Sequence, residues 1–139
     1  MTVKRTTAVL ATLMAATGLT LVGAPDALAA DGATVYLSGN DGTYFSGTVN
    51  FTNRSASVDG VVYPSSNRCR RVNAAAFDSV TNVLDLKGTR LWCTMSSPQH
   101  IPLTANVPGG ASKIGISLLD PEGYSVDICW VTRGDTSCR

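Results

Sequence analysis

The chain of 139 residues has one histidine, His100. Histidine titrates near neutral pH, so a Ser–His or Cys–His nucleophile has a single candidate base here. No Gly-x-Ser-x-Gly elbow is present, which removes the commonest hydrolase signature. No two cysteines stand in Cys-x-x-Cys spacing, and His100 is the single histidine, which together argue against a zinc site. Helical periodicity is missing, and only Ala74-Ala75-Ala76 within 71–77 suggests a helical turn. Beyond residue 29 no apolar run is long enough to span a bilayer.

A surplus of one charge is missing too. The chain holds 11 basic and 10 acidic side chains. Its first 29 residues contain Lys4, Arg5 and Asp26, so nine of each sign remain beyond them. A neutral body has no long-range attraction to nucleic acid or anionic lipid.

Residues 1–29 have the three-part layout of a secretory signal peptide. Lys4 and Arg5 give a cationic start, Ala8 to Pro25 is an uncharged, mainly apolar run, and Ala27-Leu28-Ala29 supplies small residues before a cut. Cleavage after Ala29 leaves 30–139, enough for one domain with a single modest core. The expected product is secreted, extracellular and monomeric, with no membrane segment after cleavage. The leader is rich in Ala, Thr and Leu and reads as bacterial, so the sequons at Asn50 and Asn53 are expected to be unused.

All four cysteines lie in the exported part. An even count in a small secreted domain reads as two disulfides. Three pairings exist, and the shortest loops favour Cys69–Cys93 and Cys129–Cys138. Each bridge should add about 2–4 kcal/mol.

Apolar spacing of two dominates the rest. Thr34 to Leu37 is a short apolar run. Asn40-Asp41-Gly42 is a hairpin turn signal, and Thr43 to Thr52 follows it. Asp59-Gly60 precedes Val61-Val62-Tyr63, which Pro64 ends. Leu84 and Leu86 suggest a hairpin with Leu91 and Trp92. Pro98 and Pro102 bracket His100 and argue for a loop. Ile114, Ile116 and Leu118 alternate with Lys113, Gly115 and Ser117. Asp120-Pro121-Glu122-Gly123 turns the chain back into a last strand, Tyr124 to Val131. About seven short strands at roughly ten-residue spacing predict an all-β domain. The architecture is a small disulfide-stapled Greek-key β-sandwich or barrel over 30–139.

Four constellations bear on function. Arg68, Arg70 and Arg71 crowd around Cys69, and a disulfide-pinned basic segment is a way to present a rigid binding loop. Arg70 is the candidate to enter an acidic specificity pocket. Trp92, Trp130 and Tyr124 are aromatic candidates for glycan, although two tryptophans make a small platform. Glu122, Arg90 and His100 are the residue types of a small ribonuclease, with nothing in their spacing to join them. Arg133-Gly134-Asp135, inside the Cys129–Cys138 loop, has the form of an adhesion tripeptide.

Residues Ala76 to Trp92 contain an aromatic, Phe77, then Asp78-Ser79-Val80-Thr81-Asn82 and a Gly88 turn. Earlier, Thr34-Val35-Tyr36-Leu37 and Tyr44-Phe45-Ser46-Gly47 supply an opening strand and an aromatic-x-Gly corner. This arrangement over 34–93 resembles the βγ-crystallin family, including its small secreted bacterial members. The resemblance implies a Greek-key sandwich. It also implies an inhibitor or antifungal role, as in the two-disulfide members that resemble metalloprotease inhibitors and killer-toxin-like proteins, although the early cysteines of those proteins are absent here. Family members often bind calcium through paired Asn/Asp and Ser/Thr residues. Only Asp78 and Thr81 fit that set, Phe77 and Asn82 occupying the other positions, and calcium prefers six or more oxygens. No metal and no cofactor are therefore expected.

Together these readings give a secreted, non-catalytic binding protein with an extracellular protein or glycan partner. The first form is a protease inhibitor presenting Arg68, Arg70 and Arg71. The alternatives are an antimicrobial or cell-wall-binding protein and, last, a small hydrolase.

Overall fold

A computed structural model describes residues 32–138. The leader and its cleavage site lie outside the described residues. Nine strands and no helix occur among the described residues. β1 (Gly32–Ser38), β2 (Tyr44–Phe51) and β3 (Ser55–Tyr63) form a meander. β4 (Arg71–Phe77) and β5 (Val83–Gly88) form a hairpin in a second sheet. β6 (Ser97–Thr104) returns to pair with β3, and β7 (Lys113–Leu119) pairs with β4. β8 (Ser125–Thr132) pairs with β7, and the two-residue β9 (Ser137–Cys138) runs parallel to β1. The sheets have orders β6-β3-β2-β1-β9 and β5-β4-β7-β8. The fold is therefore a sandwich rather than a barrel.

Alternation along the strands builds the core between the layers. Val35, Leu37, Phe45, Val49, Val58 and Val62 face inward from one sheet, and Val72, Ile114, Ile116, Leu118 and Val131 from the other. Cys69–Cys93 ties the β3–β4 connection to the β5–β6 connection, and Cys129–Cys138 ties β8 to β9. These are the pairings with the shortest loops.

The strand map differs from the sequence reading in four places. The alanine stretch is β4, not a helical turn, because Ala74 and Ala76 are fully buried in a strand with partners on both sides. Asp59-Gly60 does not precede the strand but lies inside β3, which begins at Ser55. Gly60 faces Gly47 across the sheet, and a Cβ there would lie 2.6 Å from Phe45 Cζ. The Pro98–Pro102 segment is β6, an edge strand, where a proline can sit without breaking a ladder. Leu91 and Trp92 form no strand; Trp92 makes only an isolated bridge with Arg70.

Candidate functional site

The three arginines are not brought together as one surface. Arg70 is 6% exposed and turned inward. Its Nε donates to Thr43 Oγ1 at 2.9 Å, its Nη1 to the Cys69 carbonyl at 2.7 Å, and its Nη2 to the Asp41 carboxylate. Asp41 also accepts from the Thr43 hydroxyl at 2.6 Å and the Thr43 N–H at 3.1 Å. The Thr43 bonds and the Arg70 charge outweigh partial burial and hold the Asp41 carboxyl below its ordinary value. Arg70 thus fastens the β3–β4 connection to the β1–β2 turn and presents nothing to a partner. This corrects its expected role: a carboxylate and a hydroxyl of the same fold already satisfy the guanidinium. Arg71 is half-buried at the start of β4, against the turn containing Gly123. Arg68 alone projects, with its side chain 66% exposed. Asp120 and Glu122 line the same cleft as Arg68 and Arg70, so acid from the fold itself faces this segment.

The hydrolase triplet is equally dispersed. Glu122 sits in the β7–β8 turn, and Arg90 stacks on Trp92 in the β5–β6 connection. His100 lies on β6, with Nδ1 against the Asp59 carboxylate on β3. Burial raises the Asp59 carboxyl, but bonds from His100, Ser57 and Asn50 outweigh it and leave a net lowering. The adhesion tripeptide is used internally. Arg133 donates to the carbonyls of Thr52, Gly109 and Ala111, and Asp135 accepts the Thr132 N–H.

The aromatic candidates occupy three separate places. Tyr124 is in the β7–β8 turn, and Trp92 packs against the core. Trp130 lies on the outer face of the four-stranded sheet, 48% exposed. Its cross-strand neighbour is Gly115, and a Cβ there would come within 2.7 Å of the indole. The glycine is what lets the ring settle against the sheet. Phe77 meets it at 5.3 Å between centroids, and Lys113 Nζ lies 5.1 Å from the ring centre.

These side chains floor a cleft of about 350 Å³. Its rim is Asp78, Ser79 and Thr81 from the β4–β5 turn, with Ser112 and Thr132 opposite. Asp78 shapes that turn by accepting from the N–H groups of Val80 and Asn82 and from the Asn82 side chain. The Asn82 bond leads the effects that lower its carboxyl. Thr81 is held at φ 72°, a conformation that β-branched residues rarely adopt. The cleft thus combines a half-open indole, a phenyl edge, a rim of hydroxyls and one side chain of each charge. Such a site can pack an apolar face while exchanging hydrogen bonds at its edges. Asp78 and Thr81 belong to this turn, and no group of three or more His, Cys, Asp or Glu residues able to hold a metal occurs among the described residues.

Sequence reasoning missed a second aromatic cluster. Tyr36, Tyr44 and Tyr63 form a file across β1, β2 and β3 on the outer face of the five-stranded sheet. Centroids are 5.7 Å apart for Tyr36–Tyr44 and 4.2 Å for Tyr44–Tyr63. The signal was the hairpin register, which sets Tyr44 directly opposite Tyr63.

Comparison of the chain with protein-family models, curated proteins and solved structures finds no match.

Proposed function

We propose that this is a secreted, non-catalytic binding protein whose ligand is glycan, held in the Trp130 cleft. The observation that carries the reading is the half-exposed indole among neutral hydroxyls. A sugar ring has an apolar C–H face and a hydroxyl periphery. The first suits an aromatic surface and the second suits Ser79, Thr81, Ser112 and Thr132. Export is supported by the leader and by two disulfides in a small domain.

The test is retention of the mature protein on chitin, cellulose and peptidoglycan, beside Trp130→Ala. Retention on at least one solid, lost in the variant, is the expected result. The truncation should weaken binding by about 2 kcal/mol, roughly thirtyfold. Failure of the native protein on all three would sink the reading.

A protease-inhibitor reading rests on Arg68, which is exposed on a turn beside the Cys69–Cys93 bridge. Asn67, at φ 66°, and the Ser65–Arg68 bridge give that turn a defined shape. Assay against trypsin-like proteases and metalloproteases tests it, and no inhibition at micromolar concentration removes it.

A further inference from the structure

A second hollow adjoins the Trp130 cleft. That hollow, about 490 Å³, is lined by Val107, Pro108, Gly109, Gly110 and Ala111 together with Arg133. The two share Asp78, Ser79, Ser112 and Thr132, so four polar residues lie where the hollows adjoin. The hydroxyls of Ser79 and Thr132 make no hydrogen bond to the described residues, and the Ser112 hydroxyl makes one of 3.3 Å to the Phe77 carbonyl.

The far wall is built before any ligand arrives. Gly109 and Gly110 turn at φ 83° and 70°, and the Gly110 N–H donates to the Val107 carbonyl. Ser112 N–H donates to the Phe77 carbonyl, and Arg133 N–H to the Ser112 carbonyl. The Arg133 guanidinium ties the Gly109 and Ala111 carbonyls to Thr52 on the opposite layer. Ordering this wall at the moment of binding therefore costs little.

We infer that the groove takes a linear oligosaccharide lengthwise, one unit against Trp130 and the next across Ser112 and Thr132 toward Gly109. This rests on the glycan reading and adds its ligand class, a chain rather than a single sugar. One aromatic ring serves one sugar unit. The shared hydroxyls and the preformed glycine wall are where a following unit would make its contacts.

The experiment is calorimetric titration with soluble chito- and cello-oligosaccharides of one to six units. The mature protein, Trp130→Ala and Gly109→Asn are compared. Asparagine tolerates the Gly109 backbone, and a Cβ there meets nothing within 4 Å. Affinity should rise at least tenfold between one unit and three, then level off. Trp130→Ala should weaken binding roughly thirtyfold at every length. Gly109→Asn should change only the increment gained with length. Equal affinity for one unit and for three overturns the lengthwise groove and leaves the glycan reading standing. Full binding by Trp130→Ala, or none by the native protein at any length, overturns both. Unfolding curves of each variant separate a lost site from a lost fold.

Discussion

Arg70→Ala removes a guanidinium that is 6% exposed and bonded at all three nitrogens. The charge-assisted bond to Asp41 contributes about 1.5–3 kcal/mol and the other two about 1 kcal/mol each. Water recovers part of this, because the Asp41 side chain is 24% exposed and keeps its Thr43 bonds. The expected loss is about 3 kcal/mol, the low end for breaking a buried ion pair. For a domain of this size that lowers Tm by about 12 °C. Urea unfolding at neutral pH measures it, with the midpoint falling and the slope unchanged. Arg70→Lys keeps the charge but not the planar fork, so about half the loss is expected. If Arg70→Ala stays within about 0.5 kcal/mol of the native protein, the inward-facing role is wrong and a presented arginine returns.

Four further outcomes follow from the same geometry. Gly115→Ala places a methyl against the indole, so Trp130 should lift from the sheet; tryptophan fluorescence should shift to the red and glycan retention should fall. Opening Cys69–Cys93 with serines should cost about 3.5 kcal/mol, and opening Cys129–Cys138 about 2.7 kcal/mol, because the first closes the longer loop; denaturant midpoints give the order. Asp41, through Thr43 foremost, and Asp85, through the Thr104 N–H foremost, are held below the ordinary 3.8. Their contribution is complete above that value and disappears as pH falls through the lower folded-state values, so Asp41→Asn should flatten the acid limb of a stability–pH curve. A Tyr44/Tyr63 double-mutant cycle should return a coupling of about 0.5–1.5 kcal/mol, and additive single losses would show that the stacking adds nothing.

The sandwich was legible because its signals are local. Alternation in Lys113–Leu119 places Ile114, Ile116 and Leu118 inward, and Asp41-Gly42 turns β1 into β2. β4 was misread because alanine favours helices in isolation, whereas two sheet partners decide its state here. Asp59-Gly60 reads as preceding the strand, and its place inside β3 comes from the pairing of Gly60 with Gly47, which only the sheet register supplies. The site was less legible for the same reason. Trp130 stood out as a residue, but its cleft depends on Phe77, Gly115 and Ser112, which register alone brings together. Arg70 was visible as a charge, while the carboxylate that holds it lies 29 residues earlier.

The end of the described chain acts as a cover strip. β9 lies along the open side of β1, where the Thr34 N–H donates to the Thr136 carbonyl and the Ser38 N–H to Asp127. On the other flank Pro98 and Pro102 blunt β6 as a template for added strands. The β1 flank has no such proline and relies on a strip of two residues held by a sulfur–sulfur bond. Without that bond the strip is held to β1 by hydrogen bonds alone, and a bared β1 edge is a template on which another extended strand can pair.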